Sequence, residues 1–480
     1  MTGLRLTWVQ PEDLLGHELR QAEEDGRDAW SIRTRWTGAG GSLAPSSAGA
    51  SPAPAPPYLR ALARDLLDEL AVLPCPLTEY EPTSLPLIKA SCPAWPSAPP
   101  HRAPQPSGSG DPPPTAHEGP PRGRSPAGEA CLHALHAAWL GRGVGCLLGK
   151  PVEKLPLHAI RALARATGNW PLSTWFTAKG LPPDLAAAHP WNRRSATTSL
   201  AENIDGMPED DDLNYPLLNL LLLQRHGKAF TTAQLGGLWL DELPAGRTFT
   251  AERIAYRNLL EGIEPPCTAA HRNPFREWIG AAIRADVHGW THPGDPAAAA
   301  AQAHRDASLT HTANGVYGAM FIAAAIATAA TRTADVHDAL AAGLSVVPPS
   351  SRLSRAIRFG IGTARAEPDF DTVVDRIHSV LGHYHWVHAV PNAALLAAAL
   401  THAEGDFTGS ICRAVSGGLD TDSNGATAGS LAGLLAGHPD KLPDHWTAPL
   451  KNRLATSVAG FDGIGFDTLA HLTLQEALRP

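Results

Sequence analysis

The chain has 480 residues, of which 44 are Gly, 44 are Pro and only 18% are charged, with a formal net charge of −8. The low charge density and its negative sign both argue against a nucleic-acid-binding protein, which carries a basic face. No apolar run reaches the length of about 18 residues that a membrane helix needs. The start MTGLRLTWVQPEDLL lacks a basic segment followed by an apolar one, so the expected location is cytoplasmic.

The first element is PEDLLGHELRQAEEDGRDAWSIRTRW, where Leu14, Leu15 and Leu19 share a helical face with charges opposite. Pro11 suits a first helical turn, and Glu12 and Asp13 favour the same helix start. Residues 43–57, LAPSSAGASPAPAPP, read as low-complexity linker, and YLRALARDLLDELAVL (58–73) reads as an amphipathic helix. Between Cys92 and Gly128, twelve residues are Pro and almost no aliphatic side chains remain. Such a segment buries too little apolar surface to offset its ordering entropy. The expected organisation is an accessory helical extension over 1–90 and a Pro-rich disordered linker over 91–128.

From residue 129 to 480 Ala, Leu and Gly dominate, as in CLHALHAAWLGRGVGCLLGK, GVYGAMFIAAAIATAA and ATAGSLAGLLAG. Val, Ile and Thr never cluster as strands do, which predicts one compact all-α domain whose helices approach through small residues. The six Cys show neither C-x-x-C nor zinc-finger spacing, so reduced thiols are expected. GRGVGCLLGK ends in Gly149–Lys150, but Pro151 stands where a phosphate loop needs Ser or Thr.

Two acidic clusters carry the chemistry. One is PEDDDLNYPLL, with Glu209, Asp210, Asp211 and Asp212; the other is SGGLDTDSNGATAG, with Asp420, Asp422, Ser423 and Asn424. Each stands where a loop becomes an apolar helix. Adjacent carboxylates repel, and a helix N-terminus relieves that only in part, whereas a divalent cation relieves it much more. Gly417 and Gly418 allow the tight bend before Asp420. Hard oxygen ligands from two helix starts suit Mg²⁺, Ca²⁺ or Mn²⁺ and not zinc, and the spacing differs from a twelve-residue calcium loop. LGHYHWVHAVPN (381–392) carries His383, His385 and His388 without H-E-x-x-H spacing, and reads as an aromatic, His-rich helix start lining a pocket.

In chain order, GVGCLLGKPVE (143–153), EDDDLNY (209–215), NGVYGAMFIAAAI (314–326), VHAVPNAALLAAAL (387–400) and GGLDTDSNGATAGSLAGLLAG (417–437) resemble the motifs of the ADP-ribosylglycohydrolase family. The best-known member of that family releases ADP-ribose from dinitrogenase reductase, and this chain resembles a divergent member. The resemblance implies an all-α domain with two Mg²⁺ ions, Mn²⁺ being the alternative, held by Asp420, Asp422 and Ser423 and by the first cluster. That cluster has two registers, Asp210 with Asp211 or Asp211 with Asp212; the second keeps Tyr215, Leu217 and Leu218 at apolar helix positions and is preferred. Asp210 then replaces a family Thr, Cys146 replaces a family Asp, and Phe321 replaces a family Arg.

Glu153, Asp211 and Asp422 are the candidate catalytic carboxylates, and Asn314, Gly315, His385, Gly417 and Gly418 the candidate substrate contacts. The implied reaction is magnesium-dependent hydrolysis at C1″ of a ribose in an ADP-ribosyl group, on an ADP-ribosylated protein or a ribosyl small molecule. A hydrolase of a small nucleoside and a catalytically silent ADP-ribose-binding module are the alternatives.

Overall fold

The computed structural model describes residues 4–44, 49–97 and 126–479. Among the described residues all regular structure is helical, with 22 α-helices and no strand. The expected all-α class is therefore the observed one. No described helix is long and apolar enough to cross a membrane.

The centre of the molecule is a helix pair built on backbone contact. Pro126–Gly149 lies against Thr421–Ala436. A Cβ on Gly145 would sit 1.8 Å from the Gly425 carbonyl oxygen, and one on Gly425 would sit 2.2 Å from the Gly145 carbonyl oxygen. Only hydrogen fits on either side, so both positions exclude any other residue. The same stripe continues at Gly141 against Gly429. This contact fixes where the Gly149 end of one helix meets the Thr421 start of the other, and Thr421 Oγ1 donates to the Gly149 carbonyl at 2.8 Å. The Ala313–Ala329 helix is buried around almost its whole circumference, which its Ala and Gly content permits.

The described helices before residue 97 pack onto the rest of the chain. Leu14, Leu15 and Leu19 of the Pro11–Glu24 helix and Leu66 and Leu70 of the Pro57–Ala71 helix share one core with Ile254, Phe275 and Trp278. Buried charges reinforce the junction. Arg352 reaches Glu81 at 2.6 Å, Glu277 at 2.9 Å and Asp25 at 3.2 Å, while Arg276 reaches Glu18 at 2.8 Å and Asp25 at 3.1 Å. The segment expected to be a linker, 91–128, falls largely outside the described residues. Within its described part Cys92 is buried in the main core and Trp95 packs against it.

Candidate functional site

The Pro126–Gly149 helix runs into a single 3₁₀ turn, Lys150–Val152, which presents Lys150 and then Glu153. Arg142, Cys146 and Lys150 recur at intervals of four and so lie along one stripe. That stripe faces the start of the Asp211–His226 helix. Asp210 caps this helix by accepting from the Asp212 N–H at 2.9 Å, as Asp favours at that position, and its other oxygen meets the Lys150 ammonium. Asp212 is buried, with Cys146 Sγ 3.8 Å from one oxygen and Arg142 3.6 Å from the other. Arg142, itself fully buried, also donates to the Asp212 carbonyl and to Asp286, both at 2.7 Å.

The Thr421–Ala436 helix supplies the second set. Gly418 at φ +74° and Leu419 at φ +62° turn the chain through left-handed backbone immediately before Asp420. The first suits glycine; the second is a strained conformation that the surrounding packing holds in place. Asn392 ties this turn down: its Oδ1 accepts from the Asp420 N–H at 3.1 Å and from Asn424 at 2.7 Å, while its amide donates to the Trp386 and His388 carbonyls. Asp420, Asp422 and Ser423 are all buried. Glu153 stands beside them, held by Asn192 at 2.7 Å and Lys154 at 3.0 Å.

Two groupings of ligand atoms result, each with all members within 4.8 Å of one another: Cys146 with Asp210 and Asp212, and Glu153 with Asp420 and Asp422. Their electrostatics differ. Burial would raise the Asp210 carboxyl, but the Lys150 ammonium outweighs it and holds the group low. Burial works against the charge on Lys150, and Asp210 outweighs it in turn, so the ammonium stays protonated. Burial, then Asp210 and Asp212, push the Cys146 thiol up and keep it neutral. Burial and neighbouring carboxylates drive Asp211, Asp212 and Asp420 well above the carboxylate range. For Asp422, burial followed by Glu153 and Asp210 raises the carboxyl to about 7. Carboxylates pressed together this way favour the protonated form over the charged one.

The structure thus brings Asp210, Asp211, Asp212, Asp420, Asp422, Ser423 and Glu153 into one locality, with Gly417 and Gly418 in the turn beneath. Asn314, Gly315 and His385 make a different set of contacts. Asn314 is buried and donates to Glu81 and Glu277, each at 2.8 Å, while accepting from Leu353 N–H, so its hydrogen-bonding capacity is taken up at the N-terminal junction. Gly315 lies against the Arg276 carbonyl. His385 stacks on Trp278 with centroids 4.2 Å apart and stands 5.8 Å from His17, and burial lowers its pKa to about 3. Sequence reading passed over Arg142 and Asn392, and considered Lys150 only as a phosphate-loop lysine. The four-residue spacing of Arg142, Cys146 and Lys150 was the available signal for the first.

A family model described as ADP-ribosylglycohydrolase matches residues 129–476. Among solved structures, the chain is similar to one titled "ADP-ribosylglycohydrolase-related protein complex", at 19% identity and a TM-score of 0.43, over 73% of this chain and 100% of that one. Comparison with curated proteins by sequence finds no match.

Proposed function

The chain belongs to the ADP-ribosylglycohydrolase family, and from that premise we propose that it is a metal-dependent hydrolase that cleaves a ribosyl glycosidic bond at C1″ of an ADP-ribosyl group. The observation that carries this reading is the grouping of Glu153, Asp420 and Asp422, whose oxygens lie within 4.8 Å of one another in a largely buried setting. Three carboxylates so placed fit a hard divalent cation, Mg²⁺ or its substitute Mn²⁺. When bound, such an ion supplies Lewis acidity and an anchor for the ribose hydroxyls.

The chain's own residues do the rest. Asn392 fixes the backbone that delivers Asp420, and Thr421 locks that turn to the Gly149 carbonyl. Glu153 keeps 19% of its side chain open to solvent, and we assign it to take the proton from the attacking water. Asp211, whose carboxyl burial and then Asp210 and Asp422 push up, is the residue we assign to give a proton to the leaving group. The substrates we propose are an ADP-ribosylated protein or a ribosyl small molecule.

The test is to incubate purified protein with Mg²⁺ or Mn²⁺ and a panel of mono-ADP-ribosylated protein, ADP-ribose ester and nucleosides, with products separated by chromatography. Release of a ribosyl product that Asp420→Ala and Asp422→Ala abolish supports the proposal. No release from any member of the panel, together with no metal binding by calorimetry, rejects it.

A further inference from the structure

The two groupings of ligand atoms are not equivalent. Both carboxyl groups of the first have a cationic side chain of the protein beside them, though only one is in direct hydrogen-bonded contact. Asp210 has the Lys150 ammonium, whose side chain is 9% exposed, while the fully buried Arg142 stands 3.6 Å from Asp212 and donates to its backbone carbonyl and to Asp286. The Lys150 ammonium also lies 3.4 Å from the Glu209 carbonyl, so it has oxygens on two sides. The third member, Cys146, is a neutral thiol and a poor partner for a hard ion. In the second grouping only Glu153 meets a cation, Lys154, whose side chain is 56% exposed and therefore solvent-screened. Asp420 and Asp422 have hydrogen-bonded supports but, among the described residues, no cationic side chain in ion-pair contact.

We propose that the Lys150 ammonium is a built-in cation that takes up the first grouping, so that the centre binds one divalent ion, at Glu153, Asp420 and Asp422, and not the two that the resemblance implies. Lys150 is thereby a positioning residue: it holds Asp210 as the cap of the Asp211–His226 helix and closes the first grouping to metal. The inference deepens the metal-dependent reading above and rests on it.

The experiment counts Mn²⁺ on the full chain. Desalted protein equilibrated with Mn²⁺ is measured by native mass spectrometry, and the bound ion by electron paramagnetic resonance. Wild type is expected to hold one ion with the six-line spectrum of isolated Mn²⁺. Lys150→Ala is expected to hold two, with the broadened spectrum of neighbouring ions, and Lys150→Arg to remain at one. Circular dichroism confirms that each variant is folded, and Lys150→Gln replaces the alanine variant if that one is not. Two ions on wild type, or one ion on a folded Lys150→Ala or Lys150→Gln, overturns the inference and leaves the metal-dependent reading standing. No ion on wild type at saturating Mn²⁺ overturns the metal-dependent reading itself.

Discussion

Replacing Asp422 by Asn should make the metal-free protein more stable at alkaline pH, because the native carboxylate is held there against its own neighbours. The Asp422 carboxyl is raised from 3.8 to about 7 by burial and by Glu153 and Asp210. An unfolded chain releases this proton near pH 4, whereas the folded chain keeps it to about pH 7. Across that window the folded state binds more protons, so stability is full below pH 4, declines as pH rises, and levels off above pH 7. At 1.36 kcal/mol per pH unit the loss is about 4 kcal/mol. For a chain of 480 residues, the unfolding entropy is about 1 kcal/mol per kelvin, so the midpoint moves by about 4 °C. Melting of metal-free wild type and Asp422→Asn by circular dichroism between pH 4.5 and 8.5 measures the difference. Wild type should fall relative to the variant as pH rises. At pH 8, Mn²⁺ at a hundred times its dissociation constant should return about 2.7 kcal/mol to wild type. Parallel curves, or a wild type that gains on the variant with rising pH, would refute the reasoning.

Three further outcomes are expected. Asn392→Ala removes the acceptor for Asp420 N–H and Asn424; it should weaken Mn²⁺ binding 10- to 100-fold by calorimetry while the fold persists. Gly425→Val forces a Cβ to within 2.2 Å of the Gly145 carbonyl oxygen; urea denaturation should show a loss of about 3 kcal/mol or more, because both partners are backbone. Arg352→Met strands Glu81, Glu277 and Asp25 in a buried junction; it should cost about 3–5 kcal/mol in urea and expose residues 4–97 to limited proteolysis at lower protease concentrations.

The helical class was readable from Leu and Ala periodicity, and the acidic clusters from carboxylates placed at helix starts. The glycines of GGLDTDSNGATAG signalled a close approach, although their partner stripe at Gly141 and Gly145 came only with the packing. What sequence could not show is where charges far apart in the chain meet. Arg352 and Glu81 are separated by 271 residues, and no local spacing records that pairing, so residues 1–90 read as an accessory extension, while ion pairs tie Asp25 and Glu81 to the rest of the molecule. Asn314 looked like a substrate contact for the same reason: a buried Asn in a motif gives no hint that Glu81 and Glu277 have claimed its amide. Lys150 was judged only against a phosphate-loop pattern, because its true partner, Asp210, lies 60 residues on.

Anomalous diffraction from a crystal soaked in Mn²⁺ tests the metal centre most directly. The account predicts one strong peak bonded to the carboxylates of Glu153, Asp420 and Asp422, and none between Cys146, Asp210 and Asp212. A soaked crystal with no peak at Asp420 and Asp422, or with its metal bound elsewhere, would contradict it.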